Sequence, residues 1–186
     1  MGMDVIGLEP QSEQGHYFRA NVWSWHPIWD YCETISDVAA KVKNAHSNDG
    51  DGLNGEDATQ LGLDIISSVK GGLLNYYLER RKEYVDSLPP TPCIHCGATG
   101  VRVWYEHEID GTTRSKFSYD IFVKDGTLPS YVVKEKFSDE IEVSRDCNGC
   151  GGVGSTKAWL TNYNFEEPHL LEFANFCLAS GGFEIH

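Results

Sequence analysis

The chain has 186 residues, with 15 Lys and Arg against 28 Asp and Glu and a formal charge of −13 at pH 7. Its 40% hydrophobic and 12% aromatic content supplies a core and excludes intrinsic disorder, and the acidity disfavours general nucleic-acid binding, which depends on Lys and Arg displacing counterions from phosphates. No run approaches the ~18 apolar residues of a membrane span, and Met-Gly-Met-Asp lacks the layout of a signal peptide, so the expectation is a soluble cytoplasmic protein with no membrane partner.

Residues 1–15 show little periodicity and read as a tail or an edge segment. An aromatic cluster follows, Tyr17, Phe18, Trp23, Trp25, Trp29 and Tyr31, interrupted by Pro27, a residue suited to a first helical turn. Ile28, Cys32, Ile35, Val38, Ala39 and Val42 recur at three- and four-residue steps, which predicts an amphipathic helix over 27–43. The Gly- and Asp-rich stretch 44–55 reads as a loop. Asn54, with Asp57 three residues on, predicts the cap of a helix carrying Ala58, Leu61, Ile65, Ile66 and Val69. Gly71-Gly72 break that helix, and a second stripe of Leu74, Leu78, Arg81, Val85 and Leu88 ends before Pro89-Pro90.

Beyond the prolines the period changes from helical to alternating. Val101, Val103 and Tyr105, then Phe117, Tyr119, Ile121 and Val123, alternate with polar residues around an Asp110-Gly111 turn signal. Asp125-Gly126 and Pro129 mark another turn before Tyr131 to Phe137 and Ile141 to Val143, giving a β-ribbon of three or four strands. A last helix runs from about Glu166 or Pro168 to Ala179 and stops at Gly181-Gly182. The predicted class is α+β: a helical segment over 1–92, a β-ribbon lobe over 93–154 and a C-terminal helix over 155–186 that packs back on the helical body.

Cys93-Ile-His-Cys96-Gly and Cys147-Asn-Gly-Cys150-Gly are two turns of the same form. Each presents two sulfurs on one side of a tight loop, and two such loops complete the tetrahedron that Zn²⁺ accepts. An iron–sulfur or redox dithiol use is the alternative. Four sulfur ligands leave no position for water, so one zinc bound by Cys93, Cys96, Cys147 and Cys150 reads as structural and pins the ribbon, zinc-ribbon fashion. His95 reads as an exposed knuckle residue. Cys32 and Cys177, on apolar helix faces, read as buried small hydrophobes.

The run Cys147-Asn-Gly-Cys150-Gly-Gly152-Val-Gly154 resembles the CxxCxGxG motif of the DnaJ cysteine-rich domain. Cys93-Ile-His-Cys96-Gly-Ala98-Thr-Gly100 resembles it with Ala98 in place of one glycine. DnaJ proteins carry four such motifs around two zinc centres, and two motifs imply one centre here. The J-domain His-Pro-Asp loop is absent, since His26-Pro27 is followed by Ile28, so the resemblance implies a metal site and not cochaperone activity. The aromatic N-terminal segment, the paired motif and the Gly-Gly-Phe-Glu-Ile stretch also look like small proteins of bacteria and their phages, a likeness that implies no activity.

Tyr17, Arg19, Asn21, Trp23 and Trp25 form a candidate recognition surface, because Trp, Tyr and Arg dominate interface hot spots, with core packing under the zinc lobe as the alternative reading of these aromatics. Residues 1–60 hold ten acidic against three basic side chains, which suits a basic protein partner in the manner of a phage-type inhibitor. The loop from His46 through Asp49 to Asp51 offers oxygen donors, but its twelfth position is Ala58, not the glutamate of an EF-hand. The expected function is therefore that of a zinc-stabilised, non-catalytic protein-interaction protein. The alternative is a small enzyme or ligand binder with a pocket between the aromatic segment and the His46 to Asp51 loop, using His46 and Asp49.

Overall fold

The computed structural model describes residues 2–109, 112–117 and 141–186. They divide into two compact units: a body of Met1–Ser87 with Trp159–His186, and a lobe of Leu88–Ala158.

The body is α+β. Strands β1 (Gly2–Gly7), β2 (Tyr17–Asn21), β3 (Gly52–Asn54) and β9 (Gly182–Ile185) form an antiparallel sheet in the order β2-β1-β9-β3. Residues 2–7 are thus an inner strand and not a tail. Met3 and Val5 alternate with Gly2, Asp4 and Ile6, and the alternation turns Met3 and Val5 into the core. Val5 lies opposite both Phe18 of β2 and Ile185 of β9, so one buried row crosses three strands.

Helix α1 spans Val22–Ile35, five residues earlier than the predicted start and ending eight earlier than the predicted finish. Asn21 is its cap, accepting the Ser24 N–H at 3.0 Å, so Pro27 stands inside the helix and not in its first turn. The apolar steps continue beyond Ile35 because Ala39 and Val42 are still buried, but a 3₁₀ turn at Ala39–Lys41 carries them. Trp25, Ile28, Trp29 and Cys32 line the inner face. Trp25 stands edge-on to Phe173 at 5.3 Å and donates its indole N–H to the Ala45 carbonyl at 2.6 Å.

Helix α2 (Gly55–Lys70) is capped by Asn54, which accepts the Asp57 N–H at 2.9 Å, with Glu56 and Asp57 at its positive end and Lys70 at its negative end. It packs on α1 through Tyr31 Oη, which donates to Ser68 Oγ at 2.9 Å, and Ser36 Oγ, which donates to Asp64 at 2.5 Å. Helix α3 (Leu73–Ser87) follows the Gly71-Gly72 break and buries only Leu74 fully. Helix α4 (Glu167–Ala179) brings Leu170, Phe173, Phe176 and Cys177 into the core.

In the lobe, β4 (Thr91–Pro92) pairs antiparallel with β8 (Ser155–Thr156). Strands β5 (Val101–Ile109), β6 (Thr112–Phe117) and β7 (Ile141–Asp146) form an antiparallel sheet in the order β6-β5-β7, between the two cysteine pairs. The predicted turn at Asp110-Gly111, the strand continuations at Tyr119 to Val123 and Tyr131 to Phe137, and the turn at Asp125-Gly126 lie outside the described residues. Among the described residues no helix is long and apolar enough to cross a membrane.

Trp25→Phe removes the donor to Ala45 and leaves a small void in the core. It should lower the stability of the body by about 2–3 kcal/mol in equilibrium urea unfolding.

Candidate metal centre

The two Cys-x-x-Cys loops are copies of one backbone design related by a local pseudo-two-fold. The Ala98 N–H reaches back to the Cys93 carbonyl at 3.3 Å, and the Gly152 N–H to the Cys147 carbonyl at 3.1 Å. The Gly100 N–H donates to Cys96 Sγ at 3.3 Å, and the Gly154 N–H to Cys150 Sγ at 3.2 Å. Each loop also ties the other, since the Cys93 N–H donates to the Gly154 carbonyl at 2.9 Å and the Cys147 N–H to the Gly100 carbonyl at 2.8 Å. A Cβ on Gly100 would lie 2.2 Å from the Gly152 carbonyl oxygen, and one on Gly154 would lie 2.4 Å from that of Ala98. The last glycine of each motif is therefore required by the close passage of the opposite loop. The shared left-handed backbone passes through Gly152 at φ 82 and through Ala98 at φ 67, the one non-glycine residue among those described with positive φ.

The four sulfurs all lie within 4.8 Å of one another. Cys93 Sγ is 3.9 Å from Cys147 Sγ, and Cys96 Sγ is 3.7 Å from Cys150 Sγ. A tetrahedral ion with metal–sulfur bonds of about 2.3 Å has sulfur–sulfur edges of about 3.8 Å, so this donor set fits a metal ion. Cys93 and Cys147 are buried and Cys150 is half-buried. Cys93 and Cys96 are pulled in opposite directions. Burial pushes Cys93 up to about 11. Burial acts the same way on Cys96, but the Gly100 N–H and the neighbouring sulfurs outweigh it and bring this thiol down to about 7. A divalent cation offsets half of the charge that four thiolates would accumulate.

His95 is exposed and lies against Gly149 in the opposite loop, outside the four-sulfur group. Cys32 and Cys177 are fully buried, and burial pushes both thiols far up, which leaves them un-ionised.

The remaining sequence candidates are dispersed over the body. Trp25 is fully buried and is no part of a surface. Tyr17 and Arg19 are exposed on β2 and both engage Asp4, Tyr17 by a hydrogen bond and Arg19 Nε at 3.5 Å, while Asn21 caps α1. Asp49 accepts from Ser47 Oγ at 2.6 Å, and Asp51 accepts the N–H groups of Asn44 and Gly52, so these carboxylates close a turn. His46 does not meet Asp49. It stacks on His26 at 4.4 Å and 16°, with Nε2 3.5 Å from Asp30.

Those contacts mark the outer face of α1, where Trp23, His26 and Asp30 follow at three- and four-residue steps. Trp23 meets Trp159 edge-on at 4.8 Å and Tyr163 at 5.1 Å. A cavity of about 410 Å³ opens there, with His26, Pro27 and Asp30 on one wall, Arg81 of α3 on a second, and Trp159, Leu160 and Tyr163 on a third. Arg81, Trp159 and Tyr163 escaped sequence reasoning. Arg81 reads as one position of an amphipathic stripe, and Trp159 lies between Ala158 and Leu160 in a short apolar run with no helical or alternating period around it.

No protein-family model matches the chain, and neither a curated protein nor a solved structure shows a significant likeness to it.

Ala98→Gly relieves the positive φ in the first loop and should stabilise the centre by about 1 kcal/mol, roughly a fivefold gain in metal retention against a competing chelator. Burial, followed by the neighbouring His46, holds the His26 imidazole below its usual value against the opposing pull of Asp30. The unfolded chain then takes up this proton first, so the contribution of His26 is intact above about pH 6.5 and is lost as the pH falls through the folded value. Thermal melting temperatures between about pH 7.5 and about pH 5 should decline less steeply for His26→Gln than for the unaltered chain.

Proposed function

We propose that the chain is a zinc-stabilised, non-catalytic interaction protein. The observation that carries this reading is the donor set itself: four sulfurs at tetrahedral spacing use every coordination position, so the ion supports structure and activates no water. Zinc is favoured over iron because the paired loops resemble half of a DnaJ-type domain. The ion pins a β-ribbon lobe and makes its folding conditional on metal.

Partner binding is supported by what the frame displays. Ile94 and Val153 are each 74% exposed, one in either loop motif, where metal ligation would hold apolar side chains outward. The net charge of −13, made more negative by a four-thiolate zinc centre, suits a basic protein partner.

Native mass spectrometry of protein purified without chelator should show one zinc per chain, lost together with the compact charge states on chelation. A coloured, iron-containing product or an apo protein with unchanged charge states would overturn the zinc assignment. The interaction is tested separately by crosslinking in the protein's own cells. The double substitution Ile94→Asp, Val153→Asp should keep its zinc and lose the crosslinked partner, whereas an unchanged partner profile would remove the lobe from the interface.

A further inference from the structure

We infer that the cavity of the body binds a free aromatic α-amino acid. Three features meet in it. The first is a cation without a carboxylate: in α3, Arg80 pairs with Glu83 at 3.1 Å and Lys82 with Asp86 at 2.7 Å, yet among the described residues no carboxylate lies within ion-pair reach of Arg81. Arg81 is half-buried, and Nη2 donates to the Tyr163 carbonyl at 2.9 Å, which holds the guanidinium at the cavity wall with further N–H groups to offer. A carboxylate is the natural acceptor of that planar fork.

The second feature is Asp30, which lines the same cavity and keeps 56% of its side chain exposed. Its charge opposes a dianion such as a phosphate monoester and accepts an ammonium group. The third is aromatic walling by Trp159, Tyr163 and His26, with Trp23 bracing Trp159 from behind at 4.8 Å. The rings offer edges and faces to a planar ligand. One positive wall, one negative wall and an aromatic remainder match carboxylate, ammonium and side chain of a single zwitterion, and about 410 Å³ accommodates it. The inference uses the body alone, so its failure leaves the zinc reading untouched, and loss of zinc from the lobe would leave this one untouched.

Isothermal titration calorimetry on the full chain tests it with three probes: L-tryptophan, indole-3-propionate, which lacks the ammonium, and tryptamine, which lacks the carboxylate. L-tryptophan should bind at least about tenfold more tightly than either analogue. Arg81→Gln should bring it down to the level of tryptamine, Asp30→Asn to that of indole-3-propionate, and Trp159→Ala should weaken all three. Should Arg81→Gln fail to fold, Asp30→Asn and Trp159→Ala alter exposed side chains and decide the matter by themselves. Absence of binding by L-tryptophan into the millimolar range, or equal binding of L-tryptophan and indole-3-propionate, would overturn the proposal.

Discussion

Helix α1 has to satisfy two environments at once, and the body is arranged around that demand. Its inner face buries Trp25, Ile28, Trp29 and Cys32, against which Phe173 of α4 and Phe183 of β9 close from the other side. Each large ring removes roughly 150–250 Å² from water, so this one stripe commits the helix to a single rotation about its axis. Once the rotation is set, Trp23, His26 and Asp30 must point outward on the opposite face. The cavity is therefore a by-product of core packing, and its rings are held by the same helix that the core holds.

The lobe obeys a different constraint. Its motifs place two cysteine loops so close that the backbone of each passes over the glycine of the other, and reciprocal N–H bonds join them. Among the described residues of the lobe the buried cluster consists of the cysteines themselves. The paired loops gain their definition from reciprocal backbone hydrogen bonds, where the body gains its own from aromatic burial.

This contrast explains what was legible in the sequence. The clustering of the four cysteines was legible, because each half is a local pattern within eight residues whose spacing and glycines carry the geometry. The helices α2, α3 and α4 were likewise local, marked by Asn54, Gly71-Gly72 and Gly181-Gly182. Strand β1 was missed because its alternation rests on Met3 and Val5 alone and its partner β9 lies near the other end of the sequence. The start of α1 was misplaced because Pro27 drew attention from Asn21, the residue whose side chain caps the helix. Whether Trp23 and Trp25 were surface or core stayed open because an extended segment would put both on one face, and only the helical phase separates them. The cavity could not be read at all: it joins α1 to Arg81 and Trp159, positions far apart in sequence whose meeting is a product of the tertiary fold.

Strand order in the body also has a consequence for synthesis. β9 lies between β1 and β3, so the sheet stays divided until residues 182–185 have left the ribosome, long after both of its neighbours. The lobe has its second cysteine pair and its closing strand β8 well before that point. On a growing chain the lobe, encoded between the two parts of the body, is thus the first able to finish, and the aromatic face of α1 waits uncovered for α4 and β9. Such a nascent chain exposes its greatest apolar surface at the stage when the lobe is already complete, which makes that stage the one most in need of a chaperone's cover.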